Sequence, residues 1–316
     1  MAAVARPRTL VLSPDDPVGL ATRAVLRFHA AAFTHEEPLA RAGAVEPIHQ
    51  LRVATRRLRA ALRLFGPTLP AAAVAHAEGE LAWMAGVIGA VRDLDVLAVT
   101  VARRARRVEP TLRDAIAGIE TEIRRQRTAA QDVLTAALDA PRCRKLLVQL
   151  DGIASGPARS RRGVPLGEIA PALLAPLLRA VRDAGRRIES KPSAARLHRL
   201  RVRAKRLRYA LETLRGLGGK RVVAAVAELT ALQEVLGDHQ DAATAIDWLR
   251  EHATASGEPA TLLAAGALVQ ILGRRARKLR RRAPHAWAGV ERRVLRQELL
   301  RGRGGDARPL LRVAHA

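Results

Sequence analysis

The chain of 316 residues carries 55 Lys and Arg against 30 Asp and Glu, a net charge of +25, with 48% apolar and only 2% aromatic residues. That apolar content excludes a disordered basic tail, and the scarcity of aromatics argues against a β-rich core. Ala, Leu, Arg and Glu favour helices, so composition alone predicts an all-α protein, and charge self-repulsion of this size points to a polyanionic partner.

Residues 1–14 read as a loose lead-in. A first helix is expected from about residue 16 to 33, with Pro17 in its first turn, where a missing N–H costs nothing. Residues 43–47 form a break, and a second helix covers 48–65 before Gly66-Pro67 stops it. Helical pattern continues over 71–88, 92–108 and 111–138, punctuated by Pro110 and Pro141. Residues 151–167 are Gly-, Ser- and Pro-rich, and a linker is placed near 153–164. Helices resume near 168 and break at 190–193, 216–219 and 257–259. From Arg301 the chain is Gly- and Arg-rich and expected to be mobile.

Cys143 is the only cysteine, which excludes an internal disulfide or a multi-cysteine metal site and suits a cytoplasmic location. The longest apolar stretch, 260–272, is too short to span a membrane. Pro7, Pro14, Asp15 and Asp16 interrupt any leader-like apolar run. No cofactor and no membrane association are expected.

The chain repeats itself. His49-Gln-Leu-Arg-Val-Ala-Thr-Arg-Arg-Leu-Arg-Ala-Ala-Leu matches His198-Arg-Leu-Arg-Val-Arg-Ala-Lys-Arg-Leu-Arg-Tyr-Ala-Leu, 149 positions later. Downstream, Val87-Ile-Gly-Ala-Val-Arg-Asp93 matches Val235-Leu-Gly-Asp-His-Gln-Asp241, 148 positions later. Two matches in the same order at nearly one offset imply a duplicated unit. The expected boundaries are 13–300 overall, with halves 13–152 and 165–300.

At 100° per residue, Leu51, Ala54, Leu58, Leu62 and Phe65 share one side of the first repeated helix, while His49, Arg52, Arg56, Arg59 and Arg63 share the other. In the second copy Leu200, Leu207, Leu211 and Leu214 oppose His198, Arg201, Lys205 and Arg208. Each helix thus shows a row of cations about 5.4 Å apart per turn. Like charges at i, i+4 repel, and no acid lies between 49 and 65, so compensation comes from another element or from a ligand. Arg suits phosphate, because its planar fork donates paired, charge-assisted hydrogen bonds. The competing reading is a row of salt bridges to Asp93, Asp95, Asp238 and Asp241 of neighbouring helices. Arg57 and Arg206 lie off the cationic face and suit surface or inter-helix pairs.

The Gly-x-x-x-Asp elements, Gly89 to Asp93 and Gly237 to Asp241, read as helix breaks. Their aspartates either hold phosphate-binding side chains from behind or cap the next helix. His239, beside Asp238 and Asp241, has no counterpart in the first copy and either orients a neighbour or makes a local contact.

The paired His-x-x-Arg-Val-x-x-(Arg/Lys)-Arg-x-Arg helices, Arg92-Asp93-Leu94-Asp95-Val96 and Leu236-Gly237-Asp238-His239-Gln240-Asp241 resemble the CHAD domain, the conserved histidine α-helical domain, over roughly residues 13–300. The resemblance implies two antiparallel four-helix bundles related by a pseudo-two-fold axis around a basic central groove. It also implies binding of inorganic polyphosphate, with association to polyphosphate granules in some members. The matching positions are His49, Arg52, Arg56, Arg59, His198, Arg201, Lys205 and Arg208. Ala90 and Val91 depart from the pattern of the second half, which leaves the relative contribution of the halves open.

Two other functions compete. A nucleic-acid-binding protein fits the charge, but Trp83, Trp248, Trp287 and Tyr209 are too scattered to form a stacking platform. A scaffold for an acidic protein partner also fits. A metal-dependent hydrolase would need clustered carboxylates with a nucleophile or a His-Glu metal motif; His35-Glu36-Glu37 lacks the second histidine, so the chain is not expected to be an enzyme.

Overall fold

The computed structural model describes residues 10–156 and 163–295. Among them there are nine α-helices and no strand: α1 (Val18–Arg41), α2 (Val45–Phe65), α3 (Ala71–Ala105), α4 (Arg113–Asp139), α5 (Pro141–Ser155), α6 (Leu166–Ser190), α7 (Ala194–Thr213), α8 (Arg215–Ser256) and α9 (Pro259–Val290). The all-α expectation holds.

Proline and serine set several starts. Pro17, Pro70 and Pro165 precede α1, α3 and α6 in extended conformation, while Pro141 and Pro259 open α5 and α9. Ser193 caps α7 by accepting from the Arg196 amide. The second helix begins at Val45, three residues earlier than its apolar pattern suggests, because Pro47 is tolerated in a first turn. The first runs on from Phe33 to Arg41 and absorbs His35-Glu36-Glu37.

The expected breaks at Gly89 and Gly237 do not occur. Both glycines lie inside continuous helices, α3 and α8, since one glycine costs an otherwise helical segment only about 1 kcal/mol. Asp93 and Asp241 are therefore mid-helix residues, and the capping reading is removed. The 216–219 break does occur: Gly219, at φ 51° and ψ −134°, is non-helical and separates the opening residues of α8 from its main run.

The lead-in is also tied down from residue 10 on. Leu12 is buried, and the amides of Val18, Leu166 and Gly167 bond to carbonyls across the junction between the lead-in and the start of α6. Residues 153–155 of the expected linker finish α5. Its positions 157–162, the lead-in positions 1–9 and the tail from Arg301 lie outside the described residues.

Two cores result, and they do not divide one per half of the chain. The larger takes residues from α1, α2, α5, α6 and α7 with parts of α3, α4, α8 and α9, among them Phe33, Leu58, Phe65, Leu200, Leu207 and Trp287. The smaller joins the ends of two helical hairpins: Leu97 and Val101 of α3 and Ile119 of α4 meet Leu249 of α8 and Leu268 of α9. Each such fully buried aliphatic side chain contributes roughly 1.5–3 kcal/mol. Helices α2 and α7 bury their leucine faces in the larger core and touch each other. Part of each opposite, cationic face is thereby brought to one seam.

Candidate functional site

At the α2–α7 seam Arg52 and Arg56 face Arg201, Lys205 and Arg208. Tyr209, only 8% exposed, lies beneath them. The guanidinium carbons of Arg56 and Arg208 stand 5.3 and 5.1 Å from its ring centroid, within cation–π range. Arg57 and Arg208 both reach Glu212, at 3.2 and 3.1 Å. Arg57 thus makes the inter-helix pair its off-face position suggests.

Two acids approach the cluster from the adjoining helices. Asp93 of α3 pairs with Arg52 at 3.3 Å. Asp241 of α8 acts on Arg201 and Lys205. Gly89 of α3 gives Arg52 its room: a β-carbon there would lie 2.9 Å from Nη1.

The cations are held at a cost. Burial first, then Arg56, Arg201 and Arg52, push the Lys205 ammonium down to about 7. Burial lowers Arg56 too, with Tyr209 opposing and Arg52, Arg201 and Arg208 adding to the fall. Burial likewise lowers Arg201 against the pull of Asp241. Burial raises Asp241 against Arg201, and Asp238 and Asp93 add to that rise. The Nε atoms of Arg201 and Arg208 are buried and donate to no protein acceptor. A buried unpaired donor is expensive, roughly 1–3 kcal/mol, and a multi-oxygen anion is the chemistry that satisfies it.

The α2 row divides. Arg59 and Arg63 leave the cluster for a second group with Arg206 and Glu78; Arg63 bonds Glu78 at 3.3 Å. Arg59 keeps a buried Nε without an acceptor.

The histidines also separate. His49 lies at the end of the cluster near Arg92, Arg56 and Arg52, and burial followed by Arg92 lowers its pKa. His198 is exposed, and its Nδ1 is 2.8 Å from Gln240 Oε1 on α8. His239 is buried, lowered by burial and by Arg280 of α9, and makes no electrostatic contact with the seam. Asp238 pairs with Arg275 of α9 at 2.6 Å, and Asp95 with Arg92 and Arg127. The four aspartates are thus spread over different partners, and among the described residues no group of three His, Cys, Asp or Glu is placed to hold a metal ion.

Tyr209, read from the sequence only as a scattered aromatic, and Arg92, read only as part of a motif, join the cluster as residues not expected there. Tyr209 directly follows Arg208 and interrupts the second row, and that adjacency was its only signal. Arg92 lies in the segment matched between the copies, where the second copy has Gln240.

The CHAD domain family model matches residues 24–250. The structure is similar to the crystal structure of the CHAD domain from the plant Ricinus communis, with TM-score 0.74 and 25% identity, covering 96% of this chain and 100% of that one. It shares its fold with PptA from Streptomyces chartreusis, with TM-score 0.70 and 22% identity, covering 86% of this chain and 100% of that one. Two uncharacterized proteins of Mycobacterium tuberculosis, from the CDC 1551 / Oshkosh and H37Rv strains, are each 31% identical over 228 residues, 68% of this chain. The match spans 42% of the length of those relatives. No described helix is long and apolar enough to cross a membrane.

Proposed function

This chain belongs to the CHAD domain family, and from that premise and the geometry of the α2–α7 seam we propose that it binds inorganic polyphosphate non-covalently. The family is associated with polyphosphate binding in general. The observation that carries the reading for this chain is the convergence of five cations, Arg52, Arg56, Arg201, Lys205 and Arg208, from two helices onto Tyr209, with two buried guanidinium Nε atoms lacking a protein acceptor. Asp93 and Asp241 offset part of that charge. A flexible phosphate chain supplies the rest: it offers oxygens to several forks at once and is thin enough to enter a seam between touching helices.

In this reading the guanidinium groups fork onto phosphoryl oxygens and Lys205 regains its proton as the anion arrives. His49 adds a hydrogen bond at one end, and His198 sits further out. Asp93 and Asp241 support the cations of the site, while Asp238 and His239 face Arg275 and Arg280 of α9. The protein is a binder and not an enzyme; what supports this is that Asp93, Asp95 and Asp238 are engaged with arginines rather than clustered to hold a metal ion beside phosphate. A cytoplasmic location, with association to polyphosphate granules, goes with the reading.

The test is a competition titration in which labelled long-chain polyphosphate is displaced by duplex DNA, RNA or short phosphates. Polyphosphate should win by orders of magnitude on the wild type, and an Arg201→Gln/Lys205→Met variant should lose that preference while staying folded. Equal competition by nucleic acid, with the variant unchanged, would replace the reading by a general basic surface. Displacement by an acidic protein alone would favour the scaffold.

A further inference from the structure

Outside the seam, the densest cationic run in the chain is on α9, Arg274-Arg-Ala-Arg-Lys-Leu-Arg-Arg-Arg282. Leu279 and Ala283 turn inward and are buried. Arg274, Arg277, Lys278, Arg281 and Arg282 point the other way, are exposed, and line a shallow concavity of about 480 Å³. They recur at i, i+3, i+4, i+7 and i+8, so five cations share one face over about 12 Å of helix. Helix α9 contains no acidic residue, and among the described residues none of the five takes part in an ion pair.

Arg275 flanks this face and is different. It turns to α8 and α3, where it pairs with Asp238 at 2.6 Å and stands beside Arg104, with Arg103 and Arg107 adjacent. The Nε atoms of both Arg104 and Arg275 are buried without an acceptor. The α3–α9 seam therefore repeats, on a smaller scale, what marks the α2–α7 seam: guanidinium groups from two helices, too few carboxylates and orphaned donors.

The two places are joined along their helices. Asp238 lies one turn before Asp241 on α8, and Arg104 lies eleven residues after Asp93 on α3, about 16 Å along the axis. We propose that the α3–α9 seam and the outer face of α9 form a second polyphosphate-binding segment, continuous with the first, so that a long chain seated at Arg201 and Lys205 runs on across Arg104 and Arg275. This rests on the polyphosphate reading above and adds to it a length preference: short chains fill the α2–α7 seam, and long chains engage both. Over residues 274–282 the α9 face carries no exposed aromatic or large apolar side chain; the exposed Leu262 and Leu263 lie about three turns away, at the start of the helix. This face therefore suits a bare phosphate chain better than unpaired bases, which need stacking surfaces.

Affinities would be measured for tripolyphosphate and for a long-chain polyphosphate, each over a salt series. The proteins are the wild type, an Arg277→Ala/Lys278→Ala/Arg281→Ala variant, and a charge-matched control, Arg179→Ala/Arg186→Ala/Arg187→Ala, on exposed α6 positions. All replaced side chains are exposed, and alanine is a good helix former, so the folds should persist. The α9 variant should bind the long chain roughly tenfold more weakly, with a log–log salt slope shallower by about 2, and tripolyphosphate unchanged. The control should do neither. Equal losses for both lengths, equal losses in the control, or no loss at all would overturn the second segment while leaving the first intact. Loss of duplex DNA binding by the α9 variant, with long-chain polyphosphate unaffected, would make α9 a nucleic-acid surface instead and overturn the proposal. Failure of the wild type to bind either phosphate chain would remove the polyphosphate reading itself, and this extension with it.

Discussion

The guanidinium of Arg52 occupies the space that a side chain at Gly89 would need, its Nη1 lying 2.9 Å from the position a β-carbon would take. A residue whose sequence suggests a helix break thus serves as a recess on an unbroken helix. Gly89→Ala should raise stability by about 0.5–1 kcal/mol, because alanine is the better helix former and the flexible guanidinium yields. It should weaken polyphosphate binding by roughly threefold to tenfold, because Arg52 is displaced from the cluster. Thermal melting and a binding titration on one sample check both signs.

Lys205 gives the clearest conflict between stability and binding. It protonates at about 7 in the folded chain and near 10.4 in the unfolded one. Between those values the unfolded state holds the extra proton, so stability rises with pH over that window, and below about pH 7 the native state bears the full cost of the charge. Lys205→Met should therefore stabilise the ligand-free protein at pH 6, by roughly 1–2 kcal/mol after allowance for solvent access. It should flatten the pH dependence of stability above 7 and weaken polyphosphate binding about tenfold. Denaturant melts at several pH values read this out.

Binding should show the opposite pH trend in two limbs. A polyanion raises the Lys205 pKa, so complex formation takes up a proton and affinity climbs as pH falls from about 9 to 7, by up to roughly tenfold per unit. A second rise follows at more acid pH, where His49, held below the usual imidazole range by burial and then by Arg92, gains its proton beside phosphate. Lys205→Met should abolish the upper limb and His49→Gln the lower one. A flat lower limb in the wild type would assign His49 a structural role.

The close fit of α6 on α9 depends on Gly185. A β-carbon there would lie 2.0 Å from the Trp287 ring, which is fully buried and donates to Glu189 at 2.7 Å. Gly185→Ala should destabilise by about 2–3 kcal/mol despite the better helix propensity of alanine. Polyphosphate affinity of the folded fraction should be unaffected, since the seam lies elsewhere. Calorimetry and titration check the pair of outcomes.

The helices and their cationic faces were legible because leucine periodicity over 48–65 and 200–214 is strong, and the cations fall opposite it. Which cations would meet was not legible. Arg59 and Arg63 carry the same periodicity as Arg52 and Arg56, yet α7 crosses α2 so that only the latter pair faces Arg201 and Lys205, and a crossing is a tertiary property. The unbroken α3 was missed because a lone glycine and an aspartate look like punctuation until a guanidinium is seen to need the gap. His239 looked like part of the site because it adjoins Asp238 and Asp241, but on a helix neighbouring positions diverge by 100°. It faces Arg280 while Asp241 faces Arg201.

The most direct test is to follow the Lys205 ammonium itself by NMR, titrating its Nζ and Cε signals with pH in the free protein and again with polyphosphate or duplex DNA at saturation. The account predicts a pKa of about 7 in the free protein that rises by roughly two units or more with polyphosphate and is much less affected by DNA. Tight polyphosphate binding with an unmoved Lys205 titration would contradict it and would place the ligand away from the α2–α7 seam.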